Sequence, residues 1–477
     1  MEHHNRKRYD VTLEEKQGMG FSRLSIILSA ISLFTSGLVS GQTIHPLGQT
    51  IFDFDYEYAY RQAIEKQSFS FLPVCGPFFT NQITAPGETD ISTVSHIFDE
   101  RGLDSLHLRL FTIGTEKWHT QRNQKGDDLP SFMGGFVYRP FTDLAAIGFF
   151  NLDRAKAIDP EYTGKKYRGL AGQVETVILT YRHSRLAVTF GRQRLFWGPQ
   201  PINLVISKTT EPLDLLTFSY HAGRIDFNFL FARLDKSHPD SIDLINFPGR
   251  SFGDNRYIAA HRLDIRLHKR FRLGLFETTL FGGEGRPPEL YYLNPLQFFH
   301  SSQLNENIDD NTMLGIDYTA LLGKGISAYG QLLVDDFQIE DKSQGDQEPN
   351  EYGIMAGIFK TGRIGTLLPD IKAEYVRITN RTYHQYDPRN RYLYQNKLIG
   401  HPLGPDADSL SLTLRFWPNK QFFAEIELAY RRHGEGSVFK PWDAPWAEVT
   451  GDYSEPFPTG IVEKATLAAC RIQGYPP

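Results

Sequence analysis

The sequence predicts an all-β fold: a transmembrane antiparallel up-and-down β-barrel of 16 to 18 strands, preceded by a short helical segment. Three observations predict it. Apolar and polar residues alternate with period two in segment after segment, the pattern of half-apolar strands. The links between these segments alternate short and long, about 2–9 residues and then 16–29 residues, over twelve consecutive joins. Composition gives the third: of 477 residues 40% are apolar and 22% charged, with 35 Phe, 23 Tyr and 5 Trp against 5 Met, which is neither disordered nor helical-membrane composition.

Residues 24–41 carry no charge, follow Arg23 and end in small residues, so 1–41 are expected to be a signal peptide cut after Gly41. A retained anchor is the alternative, and Met19 offers a second start. The chain after residue 41 has 46 basic and 52 acidic groups, a net charge of -6. It has no further apolar run near 18 residues, and the mean hydropathy is -0.37. An exported chain of this kind is either soluble or crosses a membrane as strands. No block of like charge supplies the basic face that nucleic acid requires. Residues 42–104 are expected to form a periplasmic segment near the barrel end, with a helix in YEYAYRQAIEKQ (56–67).

The barrel is placed at 105–477. Its strands fall near 105–113, 131–140, 143–151, 174–182, 186–193, 213–221, 224–233, 256–268, 272–281, 311–321, 326–335, 352–361, 371–379, 409–416, 421–431 and 461–471. In DSLSLTLRF (408–416), Leu410, Leu412, Leu414 and Phe416 share one face and Ser409, Ser411, Thr413 and Arg415 the other. Because every second link is a turn, such as HAGR (221–224) or GKG (323–325), all long loops lie at one end. Outer-membrane barrels have that asymmetry, with short periplasmic turns and long external loops. Sixteen is even, so both termini fall at the short-turn end. With apolar faces toward lipid, Arg262, Asp264, Arg266, Asp317, Gln331, Arg415, Glu425 and Arg431 point inward, and their interleaved signs suit charge pairs across the lumen.

Catalytic signatures such as H-E-x-x-H, G-x-S-x-G or a phosphate loop do not occur. His300, Ser301 and Ser302 are the residues a hydrolase would use, although neighbours in one loop rarely align for catalysis. Asp309–Asp310 and Asp335–Asp336 could hold Ca²⁺, but read more simply as solvated loop-edge charges. No cofactor is expected. GRQRLFWGPQ (191–200) places Arg192 and Arg194 two apart before Trp197, either a structural turn with a rim aromatic or a platform for a sugar or anion. Loop 380–408 carries Arg381, Arg389, Arg391 and Lys397 among Tyr383, Tyr386, Tyr392 and Tyr394, and Asp387 alone opposes the cations between 381 and 397. Tyr291, Tyr292 and Asn294 of ELYYLNP form a neighbouring platform, with inward packing as a loop plug the alternative. Cys75 and Cys470 fall at the same end of the barrel, so they either form a disulfide pinning the N-terminal segment to the last strand or remain two free thiols.

Taken in order, GRQRLFWGPQ with LVISKTTEP, HRLDIRL (261–267), GRPPELYYLNPLQFF (285–299), NIDDNTMLGIDY (307–318), YGQLLVDDF (329–337) and IGHPLGPDADSL (399–410) resemble the capsule assembly Wzi family of Gram-negative outer membranes. The resemblance spans roughly 170–430. It implies an outer-membrane barrel, typically of eighteen strands, with a periplasmic helical segment, external loops closing the mouth, and capsular polysaccharide attached at the surface. The chain departs from the pattern in ending Tyr475-Pro476-Pro477 and not in an aromatic residue, and in matching weakly before 170. The expected function is non-enzymatic binding or organisation of surface polysaccharide by a monomer embedded in outer-membrane lipid. A porin-like channel and a membrane-embedded hydrolase are the rival readings.

Overall fold

The computed structural model describes residues 53–67, 75–76, 107–119, 127–141 and, with short omissions, 143–474. The expected signal peptide, 1–41, lies outside the described residues. Among the described residues sixteen long strands form the wall: β1 (His107–His119), β2 (Asp127–Phe141), β3 (Leu144–Asp153), β4 (Leu170–His183), β5 (Leu186–Gln193), β6 (Leu213–Ala222), β7 (Ile225–Leu234) and β8 (Asn255–His268) in its first half. The second half is β9 (Phe271–Gly283), β10 (Asn311–Gly323), β11 (Ile326–Asp336), β12 (Glu351–Thr361), β13 (Leu368–Ile378), β14 (Ala407–Asn419), β15 (Phe422–His433) and β16 (Glu463–Gly474). Each expected strand has its counterpart among the described residues. Successive strands pair antiparallel in chain order, and the sheet curls into a barrel whose seam lies between β1 and β16.

Period-two alternation places every side chain. On β8, Arg256, Ile258, Ala260, Arg262 and Asp264 are buried, whereas Leu267 is exposed on the other face. Phe190, Leu216, Leu275, Ile316, Ile358 and Leu428 are likewise exposed on the outer face and form the apolar belt that lipid requires. Among the described residues no helix is long and apolar enough to cross a membrane.

The lumen is filled from both ends. Helix α1 (Asp53–Glu65) covers most of the expected 56–67 and sits at the short-turn end. There Arg61 Nη2 donates to the Gly362 carbonyl at 2.7 Å, Arg61 Nε lies 3.1 Å from Asp370, and Arg415 Nη1 donates to Glu57 at 2.7 Å. The chain between β5 and β6, residues 194–212, turns inward from the opposite end. Its Leu195, Trp197, Leu204, Val205 and Ile206 join one core with inward residues of β6 to β13. Leu204 N donates to Gln331 Oε1 at 2.6 Å, and Gln200 Nε2 to the Tyr60 hydroxyl of α1 at 3.1 Å. Arg262 of β8, held by Asp264 on its own strand and by Asp317 of β10 at 2.6–2.9 Å, reaches across β9 inside the barrel. Its charge is buried, and both carboxylates meet it through hydrogen bonds.

The Cys75–Cys470 disulfide is not formed. Cys470 is free and exposed, opposite Ile426 on the outer face, while strand Cys75–Gly76 pairs with Phe196–Trp197. Alternation sends Cys470 to the outer face of the wall, whereas the strand of Cys75 lies against the inward segment 194–212.

Candidate functional site: the loop-filled mouth

Loop 379–406, between β13 and β14, is the hub of the long-loop end. It folds down onto the inner segment: Tyr383 OH donates to Leu204 O at 2.6 Å, Tyr392 OH to Val205 O at 2.9 Å, and Ser207 N to Ile399 O at 2.9 Å. The two tyrosine rings stack with centroids 5.7 Å apart. Gly400 permits this approach, because a Cβ there would stand 2.4 Å from the Leu204 carbonyl oxygen. Arg381 and Tyr383 adopt φ of 67° and 72°, strained for side-chain-bearing residues. Tyr383 N donating to Asp335 at 2.5 Å helps hold that conformation.

The expected basic surplus of this loop is cancelled by carboxylates from other loops. Arg381, 2% exposed, pairs with Glu455 and, at 3.1 Å, with Asp443. Arg391 forms a two-pronged pair with Asp243 at 2.7 and 2.8 Å on helix Ser241–Asn246. Lys397 reaches Glu211 at 2.9 Å and Asp159 at 3.5 Å, and Arg389 keeps Asp387 at 3.2 Å. Glu211 also receives Lys156 and Arg194. Burial would raise the Glu211 carboxyl, but those cations outweigh it and hold it down at about 2. Desolvation dominates for the loop histidines: His384 and His401 are each depressed to about 4 and stay neutral at physiological pH.

The residues singled out in the sequence therefore separate. Trp197, Tyr383, Tyr392, Arg381 and Arg391 are buried, so they do not offer the exposed platform expected of them. Arg194 is directed to carbonyls of Lys208 and Thr210 and to Glu175. Arg192 lies outside, paired with Asp214 at the edge of the wall. Tyr291 and Tyr292 pack against the outer face of the barrel, with Tyr292 fully buried and Asn294 exposed. The wall separates them from Trp197, so the two platforms are not neighbours. Arg389 and Tyr386 remain accessible at the mouth. Ser302 is buried, its hydroxyl accepting from Gln297 Nε2 at 2.8 Å and donating to Phe298 O, which leaves no base beside it. Asp310 is taken by Arg286 and Tyr292. Among the described residues no three His, Cys, Asp or Glu side chains converge to hold a metal.

Loop 434–462 supplies what the sequence reasoning missed. Trp442 and Trp446 are half-buried, Trp442 5.4 Å from His384 and Trp446 4.6 Å from the Arg381 guanidinium. Tyr453 completes the group, its ring 6.5 Å from Trp446. His384 Nε2 bonds the Lys440 carbonyl at 2.7 Å and fixes the loop in place. The signal was present as P-W-D-A-P-W (441–446), which holds two of the five tryptophans, each directly after a proline.

A lipid-facing belt, segments packed inward from both ends and a mouth of interlocked loops define an outer-membrane β-barrel. The chain belongs to the capsule assembly protein Wzi family, whose family model matches residues 143–466. Among solved structures it is similar to Wzi of Escherichia coli, described as an outer membrane protein involved in group 1 capsule assembly and a carbohydrate-binding β-barrel, at 15% identity and a TM-score of 0.49 over 69% of this chain and 70% of that one. It is also similar to the outer membrane channel DcaP of Acinetobacter baumannii, at 9% identity and a TM-score of 0.39, covering 78% and 98%. OccK3 of Pseudomonas aeruginosa matches at 12% identity and a TM-score of 0.37, covering 70% and 80%. No curated protein matches the chain.

Proposed function

We propose that the mouth binds capsular polysaccharide at the cell surface, with Trp442, Trp446 and Tyr453 as the stacking surface and Arg389 and Tyr386 at its edge. The observation that carries this is the pair of half-buried tryptophans seated on Arg381 and His384, whose own positions are fixed by buried partners. An aromatic face covers the apolar face of a sugar ring at low entropic cost, and the carboxylates of Asp443 and Glu455 are at hand for hydroxyl groups. Recognition then rests on stacking and hydrogen bonds more than on net charge, since the loop's cations are already paired. Arg381, Tyr383, Arg391 and Tyr392 act as scaffold beneath the contact surface. The protein works as a binder without catalysis or cofactor, as a monomer surrounded by outer-membrane lipid. A glycan array on the detergent-solubilised protein and its Trp442→Ala/Trp446→Ala variant tests the site. Binding by the natural chain and its loss in a variant that keeps the heat-modifiable barrel band is expected, and undiminished binding would overturn it.

A further inference from the structure

Loop 284–310, between β9 and β10, does not cover the mouth. It turns back over the outside of the wall. Its helices α2 (Leu290–Leu293) and α3 (Phe299–Glu306) bury Tyr292 and Phe299 against Phe229, Tyr257 and Phe281. These wall residues are outward by register: Tyr257 pairs with Phe281, and the same outward row continues through His261–Glu277 to Leu263–Leu275, where Leu275 is exposed in the belt.

Glu277 is the informative residue. A carboxylate on the lipid side of a barrel strand is costly unless it is paired. Here it is 2% exposed and accepts the Phe299 N–H at 2.9 Å and the His300 N–H at 2.8 Å, at the N-terminus of α3, with His261 Nε2 3.0 Å away. The wall thus carries a built anchor for the helix, in which the carboxylate satisfies amides that the first turn leaves open. Arg286 pins the start of the loop through Asp310 and Glu289. Glu277 lies six residues below the loop end of β9 at Gly283. At about 3.3 Å per residue and a tilt of roughly 40°, that is on the order of 15 Å down the wall. The docked loop meanwhile turns Leu290, Leu296, Phe298 and Leu304 outward, with Leu296 84% and Leu304 69% exposed.

We propose that loop 284–310 is a membrane-inserted collar, held on the wall by Glu277 and immersed in the outer leaflet, so that Leu290, Leu296, Phe298 and Leu304 contact lipid acyl chains. Continuity selects the occupant: the apolar side chains prolong the belt formed by Leu275 and Ile316 on the same strands. Spin labels test it in the full-length protein carrying Cys75→Ser and Cys470→Ser, reconstituted in phospholipid bilayers, with single sites Leu296→Cys and Leu304→Cys. Leu275→Cys serves as the lipid reference and Tyr386→Cys as the aqueous one. Labels at 296 and 304 are expected to show an oxygen-to-nickel accessibility ratio like that at 275 and several-fold above that at 386. A ratio like that at 386 would overturn immersion. Shielding from both relaxants with spin–spin broadening would overturn it in favour of a second copy of the chain. Adding Glu277→Gln should lower the ratio at 304 several-fold while the barrel band persists, and an unchanged ratio would overturn the anchor.

Discussion

Arg391 and Asp243 are 5% and 2% exposed and close on each other through two hydrogen bonds. Replacing Arg391 with Ala strands a buried carboxylate and is expected to cost about 3–5 kcal/mol, read as a lowered unfolding midpoint in detergent. Arg391→Met with Asp243→Leu should recover most of the loss, because the price of burying both charges disappears with them. Smaller losses in the single variant would show the pair to be hydrated. His384 and His401 give a pH dependence whose sign is fixed. Their native pKa values, about 4, lie below the ordinary 6.5, so the unfolded chain binds more protons between those values and stability rises with pH. The contribution is fully present above pH 6.5 and is lost as pH falls toward 4. Protection factors for amide exchange in loops 379–406 and 434–462, normalised to the intrinsic rate at each pH, should fall as pH drops through that window, and His384→Gln should flatten the response. Equal protection factors at pH 7 and pH 4.5 would contradict the burial of both imidazoles.

At the scale of elements, the inward segment 194–212 joins both ends of the molecule. It touches α1 through Gln200 and Tyr60 and supports the mouth through Leu204, Val205 and Ser207. The natural chain is therefore expected to give little conductance in a planar bilayer. Replacing 196–208 with a short Gly-Ser link should open steady channels while the barrel band persists. Large conductance from the unaltered protein would favour the channel reading. Loop 434–462 has a different role: Val438 enters the core, but Trp442 and Trp446 stay half-buried at the surface. Trp446→Ala alone should weaken glycan binding by about tenfold, the scale of an aromatic contact of 0.5–1.5 kcal/mol, with an unchanged unfolding midpoint.

For the whole molecule, the asymmetry of the connections sets the orientation in the membrane. Cysteines introduced at Ile245 and Phe439, both exposed on long loops, should react with an impermeant maleimide on intact cells, and one at Gly223 only after permeabilisation. Labelling at Gly223 without permeabilisation would invert the topology. Under denaturing, non-reducing conditions the natural Cys470 should take up an alkylating label. Its failure to do so would restore the disulfide.

The strand pattern was legible in the sequence because a β-strand writes its environment into every second residue, and a shift of one would turn the whole apolar row inward. All sixteen wall strands among the described residues and the inward placing of Arg262, Asp264, Asp317 and Arg415 followed from that local rule. The alternating links placed the long loops at one end for the same reason. What the local rule could not reach was the path of those loops. Arg381, Arg391 and Lys397 read as a basic patch because their partners Glu455, Asp243 and Glu211 are 74, 148 and 186 positions away. Trp197 and Tyr292 read as neighbouring platforms until the wall came between them. Sequence by itself determined the barrel, since alternation is a property of neighbours in the chain. Only the tertiary structure decided that the lumen is filled and the mouth's charges are paired, and that one loop lies outside the wall, because each depends on groups far apart in sequence sharing a site shielded from water.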